Sequence, residues 1–186
     1  MAANDSAQDK ARLLEILKKE AFVKERVTLS SGKVSDFYID ARRVTLSPEG
    51  IHLVAKIVFE MIEHDRVAAL GGPTLGADPI VGAVSALSFE KGKPIKGFIV
   101  RKAPKPYGKQ QQVEGPLFSP GDRVILIDDV VTTGKSLVQA IDILKPLDVV
   151  VLKAICLVDR NEGGREALQA YGCQLVSVFE AADFPK

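Results

Sequence analysis

The chain has 186 residues, 46% hydrophobic and 26% charged, enough for one domain with its own core and too few for a second full domain. Lysine and arginine total 25 against 24 acidic residues, so no bulk basic field draws in nucleic acid or an anionic membrane, and any anion must be held by a local arrangement. The polar start Met1–Lys10 lacks the parts of a secretory signal, no apolar run approaches membrane-spanning length, and Cys156 and Cys173 have no Cys or His partner at zinc-ligand spacing. A cytoplasmic protein with reduced thiols and no nucleic-acid or membrane partner is the expectation.

Leu13, Leu14, Leu17 and Ala21 recur at helical spacing and predict an amphipathic covering helix over about residues 7–21. Ser47 followed by Pro48 reads as an N-cap with proline at the first helical position; Ile51, Val54, Ile57, Val58, Met61 and Ile62 then give an apolar face ending near Asp65. His52 and His64 both fall in this helix, twelve residues apart, which does not suit adjacent-turn metal ligation. A regular alternation follows: strand Val67–Leu70, helix Leu75–Phe89, strands Ile95–Val100 and Val124–Ile127, helix Ser136–Leu144, strand Val149–Val158, helix Gly164–Tyr171 and strand Gln174–Phe179. Short continuous apolar strands between helices predict an α/β fold with a central, mainly parallel sheet flanked by helices. We expect a single domain over 1–186, with a small N-terminal hood over about 1–45 and the α/β core over 46–186. Ala103–Pro120, with four prolines and a run of three glutamines between strands, reads as a lid.

The most informative stretch is Val124–Ser136, VILIDDVVTTGKS: an apolar strand, two acids, then a Thr/Gly/Lys/Ser turn that opens a helix. Open parallel sheets bind ligands at the carboxyl edge of their strands. There the amides of residues 132–136, the hydroxyls of Thr132, Thr133 and Ser136, and the helix amino end can surround a phosphate. A nucleotide-binding P-loop is excluded because Asp129 stands where its first glycine is required, and Gly71–Gly76 lacks the spacing of a dinucleotide fingerprint. Asp128 and Asp129 suit vicinal hydroxyls beside a monophosphate, and ribose 5-phosphate is such a ligand.

On these residues the chain resembles the type I phosphoribosyltransferases. The resemblance implies that Asp128 and Asp129 hold the ribose hydroxyls while Val130, Val131, Thr132, Thr133, Gly134, Lys135 and Ser136 form the turn that takes the 5-phosphate of phosphoribosyl pyrophosphate. Three further segments resemble the orotate phosphoribosyltransferase family in particular. Thr28–Lys33, continuing to Phe37–Asp40, looks like its base-covering segment, although a plain β-hairpin fits equally. Arg101-Lys102-Ala103-Pro104-Lys105, ending at Glu114-Gly115, matches its mobile basic loop, where three cations in five residues can neutralise a pyrophosphate leaving group. Val158-Asp159-Arg160 places an arginine where the family binds orotate's carboxylate, a group that a guanidinium holds through two parallel hydrogen bonds.

The resemblance therefore implies transfer of the phosphoribosyl group from phosphoribosyl pyrophosphate to orotate, giving orotidine 5-phosphate and pyrophosphate in pyrimidine biosynthesis. Lys105 is implied as the catalytic loop residue; Arg101, Lys102 and Lys105 as pyrophosphate ligands; Thr132 and Arg160 as orotate ligands. Magnesium (Mg2+) is implied to arrive with the substrate, bound mainly through phosphoribosyl pyrophosphate with few direct protein ligands needed, and a homodimer with shared active sites is implied as the assembly. Tyr107, Gly76 and Ser30 depart from the family pattern of a histidine and two lysines. Two other readings remain at this point: a phosphoribosyltransferase for a purine or uracil, which has no need of Arg160, and a phosphoribosyl-pyrophosphate-sensing regulator.

Overall fold

The computed structural model describes residues 2–28, 34–103 and 112–185. In chain order these form α1 (Ala2–Ile16), extended by a wider helical turn over Leu17–Ala21, four two-residue strands β1 (Phe22–Val23), β2 (Val27–Thr28), β3 (Val34–Ser35) and β4 (Tyr38–Ile39), then α2 (Arg42–Thr45) and α3 (Pro48–Ile62). The alternating part follows as β5 (Ala69–Pro73), α4 (Ala77–Glu90), β6 (Lys96–Val100), β7 (Val113–Glu114), β8 (Arg123–Val131), α5 (Lys135–Leu144), β9 (Val150–Asp159), α6 (Gly164–Ala170) and β10 (Gln174–Glu180). Six strands make one sheet in the order β10-β9-β8-β5-β6-β7, parallel except for the last pair. Outside it, β1 pairs with β4 and β2 with β3, both antiparallel.

The period-two geometry of a strand explains why β8 sits at the centre. Ile125 and Ile127 project to one face and pack with Leu13 of α1 and with the apolar faces of α3 and α4, whereas Val124 and Leu126 project to the other and pack with Leu137, Ala140 and Leu144 of α5 and Leu168 of α6. All four strand residues are fully buried. Burying each such side chain contributes about 1.5–3 kcal/mol, so both faces hold the strand in register. Ser47 caps α3 as its sequence suggests, its Oγ accepting from the Gly50 N–H at 3.2 Å with Pro48 in the first turn.

Several boundaries differ from the sequence expectation. The first helix starts at Ala2, since nothing in that polar stretch breaks a helix and alanine favours one. The strand expected at Val67–Leu70 runs instead over Ala69–Pro73: Gly71-Gly72-Pro73 has poor strand propensity, but pairing with β6 on one edge and β8 on the other overrides it. β8 runs through Asp128 and Asp129 to Val131 rather than stopping at Ile127. Within the region read as an irregular lid, β7 pairs with β6, and the Arg101 N–H donates to the Gln112 carbonyl at 2.7 Å. Two residues are too few to show an alternation pattern, and α2, at four residues, escapes the helical period in the same way.

Candidate active site

Chain order in the sheet reverses between β5 and β8: β6 follows β5 outward on one side, while β9 and β10 follow β8 outward on the other. Such a switch point leaves a crevice beyond the carboxyl ends of the strands. β5 pairs with β8 only from Ala69↔Val124 to Gly71↔Leu126, after which β8 continues against β9 alone. A cavity of about 420 Å³ opens there. Asp128, Asp129 and Val130 line it from β8, Thr132 and Ser136 from the following turn and α5, Lys102 from beyond β6 and Arg160 from the end of β9. Tyr38, Asp40 and Arg42 close it from the N-terminal segment, and Pro73–Gly76 from the end of β5.

The two carboxylates turn back on their own backbone: Asp129 N–H donates to Asp128 Oδ1 at 3.0 Å, and Val130 N–H to Asp129 Oδ1 at 2.8 Å. Burial pushes the Asp128 carboxyl well above the usual range, the neighbouring Asp129 charge adds to that, and the Asp129 amide and Lys102 oppose it. Burial also raises Asp129, against the Val130 amide and the charge of Arg42. Each carboxylate accepts one of these amides through Oδ1 and has further acceptor capacity toward the crevice, which ligand hydroxyls can use. Gly76 makes this arrangement possible, because a Cβ there would lie 2.4 Å from Asp129 Oδ1 and 2.5 Å from Asp128 Oδ1.

The turn after β8 passes through Gly134 at φ 74°, a left-handed conformation that suits glycine, and a Cβ there would approach the Gly164 carbonyl to 3.0 Å. The turn is thus held against the start of α6. Thr133 is part-buried and Lys135 exposed, both outside the cavity lining, while the Val131 side chain is buried in the core and its carbonyl accepts the Arg160 N–H at 2.9 Å. Arg101 lines an adjoining cavity of about 360 Å³ that shares Lys102 and Ser136 with the first, and its guanidinium pairs with Glu114 at 3.3 Å. Arg160 is buried, its Nε 3.0 Å from Glu162 Oε1 and its guanidinium 4.4 Å from the centre of the Phe37 ring. Lys105, Tyr107 and Leu29–Lys33 lie outside the described residues.

Residues 47–184 match the phosphoribosyl transferase domain family. The chain is 43% identical to the orotate phosphoribosyltransferase of Aquifex aeolicus over 155 residues, 83% of this chain and 84% of that protein. The belonging is decided by such identity over nearly matching lengths. The chain belongs to the orotate phosphoribosyltransferases. Two solved structures of the Mycobacterium tuberculosis member of the family are also similar, each covering 94% of this chain and 98% of that one. The complex with Fe(III) dicitrate superposes with a TM-score of 0.81 at 36% identity, and the complex with 5-phospho-alpha-D-ribosyl 1-diphosphate with 0.76 at 34%. The expected fold is that of this family, and the relatives favour neither a purine or uracil enzyme nor a regulator.

In this orotate phosphoribosyltransferase the lining also includes Arg42, which no sequence feature singled out, beside Tyr38 of the segment expected to cover the base. Arg42 Nε donates to Asp40 Oδ1 at 2.7 Å, and its NH2 group to the Tyr38 hydroxyl at 3.5 Å. Only tertiary folding brings α2 over the crevice, although the pattern Tyr38-Ile39-Asp40 beside Arg42 already held the charged pair.

The raised Asp128 carboxyl predicts that Asp128→Asn separates fold from activity. A carboxyl with a folded pKa above its unfolded value binds more protons when folded, so its contribution to stability declines as pH rises from about 4 through the folded value. Thermal unfolding scans from pH 4 to pH 8 are expected to show Asp128→Asn melting at or above the wild-type temperature at neutral pH, with the difference shrinking toward pH 4, while phosphoribosyl transfer falls. A variant that melts lower at pH 8 than wild type contradicts the assigned environment.

Proposed function

We propose that the crevice binds phosphoribosyl pyrophosphate and orotate together and transfers the 5-phosphoribosyl group to N1 of orotate, yielding orotidine 5-phosphate and pyrophosphate. The observation that carries this reading is that two adjacent carboxylates and a buried arginine line one cavity of about 420 Å³ at the switch point. Asp128 and Asp129 accept hydrogen bonds from the ribose hydroxyls. Thr132, Thr133, Gly134, Lys135 and Ser136, with the backbone of Val130 and Val131, enclose the 5-phosphate at the amino end of α5. Arg160, with Thr132, takes the orotate carboxylate. Arg101, Lys102 and Lys105 meet the pyrophosphate.

The bond from ribose C1 to the pyrophosphate oxygen breaks as the bond to N1 of orotate forms, and the N1 proton passes to water or to the departing pyrophosphate. Positive charge develops on the ribose ring and negative charge on the leaving oxygens, so cations at the leaving group and carboxylates at the ribose both favour the transition state over the bound substrate. Among the described residues no three His, Cys, Asp or Glu side chains cluster as a metal site. The hard oxygens of Asp128 and Asp129 suit a Mg2+ ion carried by substrate phosphate and water, whose shell they can accept from. When bound, Mg2+ neutralises charge on the pyrophosphate oxygens. A homodimer in which the basic loop of one subunit serves its partner, and a cytoplasmic location, complete the proposal; no helix of the described residues is long and apolar enough to cross a membrane.

An absorbance assay of orotate consumption with phosphoribosyl pyrophosphate and Mg2+, run beside adenine, hypoxanthine and uracil, tests this. Turnover confined to orotate is the expected result. Turnover with another base keeps the reading of Asp128–Ser136 and removes that of Arg160.

A further inference from the structure

Arg160 is set from two sides by residues that do not themselves line the cavity. Glu162 Oε1 lies 3.0 Å from its Nε, and Phe37 presents its ring face 4.4 Å from the guanidinium carbon. The arginine side chain is only 3% exposed and that of Glu162 19%, so both charges are largely removed from water. A charge in that position must be compensated by a partner, and here the compensation is an ion pair without hydrogen-bond geometry: neither Arg160 Nε nor the second carboxylate oxygen of Glu162 makes a hydrogen bond among the described residues. For stability alone a well-packed apolar residue would serve as well or better. Retaining a half-compensated carboxylate beside one edge of the guanidinium makes sense if its task is to fix that edge.

The backbone beneath repeats the same design. Arg160 N–H donates to the Val131 carbonyl at 2.9 Å, and Asn161 N–H to Asp159 Oδ1 at 2.9 Å; the other oxygen of this fully buried carboxylate, Oδ2, accepts from Arg165 at 2.9 Å. The turn that carries Arg160 is thus braced by α6 and by β8. With its Nε edge beside Glu162 and its carbon over the Phe37 ring, the guanidinium is restrained at two points, and a planar fork binds a carboxylate well only when its orientation is set. Phe37 is itself anchored, its ring centre 5.6 Å from that of Phe22, which in turn stacks at 6.0 Å on Phe184.

We infer that Glu162 and Phe37 are positioning residues that hold the Arg160 guanidinium in the orientation that selects a carboxylate-bearing base. The inference rests on the reading of Arg160 as the orotate ligand. Glu162→Ala removes both the oxygen and the charge; Glu162→Gln keeps an oxygen beside Nε without the charge; Phe37→Leu fills the space without a ring face. Steady-state kinetics of these three and of Arg160→Ala, varying orotate and phosphoribosyl pyrophosphate separately, test it. The expected result is an orotate KM raised about tenfold in Glu162→Ala and in Phe37→Leu, with kcat and the KM for phosphoribosyl pyrophosphate little changed, and most of the loss restored in Glu162→Gln. An unchanged orotate KM in Glu162→Ala and Phe37→Leu, with Arg160→Ala impaired, overturns the positioning role and leaves Arg160 as the ligand. An orotate KM lowered by Glu162→Gln overturns it too, since the carboxylate then opposes the substrate. If Arg160→Ala leaves the orotate KM unchanged, the reading of Arg160 falls and takes the inference with it. Should Glu162→Ala not fold, Phe37→Leu and Glu162→Gln decide the matter by the same criteria.

Discussion

Lys105→Ala is expected to lower kcat by about a hundred- to a thousandfold, the scale associated with removing one preorganised donor from developing negative charge. The argument is differential. Pyrophosphate carries charge in the bound substrate, but the oxygen that leaves ribose C1 gains more as the bond lengthens, so a cation aimed at it stabilises the transition state beyond the ground state. Lys102 lines the cavity and Arg101 the space beside it, so neighbouring cations soften the loss and turnover does not vanish. The KM for phosphoribosyl pyrophosphate is expected to move much less than kcat. Steady-state assays at saturating orotate read both constants, and a variant with wild-type kcat would falsify the assignment of Lys105 to the leaving group.

Arg160→Ala is expected to reduce kcat/KM for orotate by about a hundredfold, chiefly through KM, because truncating one partner of a desolvated charge pair costs roughly 2–5 kcal/mol. The KM for phosphoribosyl pyrophosphate provides the internal control. Truncation also leaves the Glu162 charge buried beside an empty space, so loss of fold has to be separated from loss of recognition. Arg160→Lys does this: it retains a positive charge near Glu162 but not the planar fork, and it is expected to melt near the wild-type temperature while still binding orotate poorly. Equal effects on both substrates in either variant would show that Arg160 supports the site as a whole and does not choose the base.

Much of this site was legible in Val124–Ser136 because its chemistry is contiguous: an apolar run, two acids and a hydroxyl-rich glycine turn place their groups at one strand end through local geometry alone. The alternation of short apolar strands with helices likewise made the parallel sheet readable, since burial on both faces leaves its mark on each strand separately. Three other features lie beyond such reasoning. β7 and α2 are too short to carry a period. Arg42 reaches the crevice from an element remote in sequence. Arg160 pairs with Glu162 while Arg165 pairs with Asp159, an allocation visible only in the folded arrangement.

On the proposed reading, the carboxylates that take the ribose and the arginine that takes the base stand on different strands. Asp128 and Asp129 stand on β8, hydrogen-bonded into the middle of the sheet, while Arg160 leaves from the end of β9 and takes its bearings from Phe37 and Glu162. Neither Phe37 nor Glu162 contributes to the hydrogen bonds that Asp128 and Asp129 accept, so substitutions there are expected to leave those bonds in place. The fold is in this sense modular for evolution and for redesign: its preference for a nucleobase can drift, or be rewritten, around a donor-handling platform that stays the same.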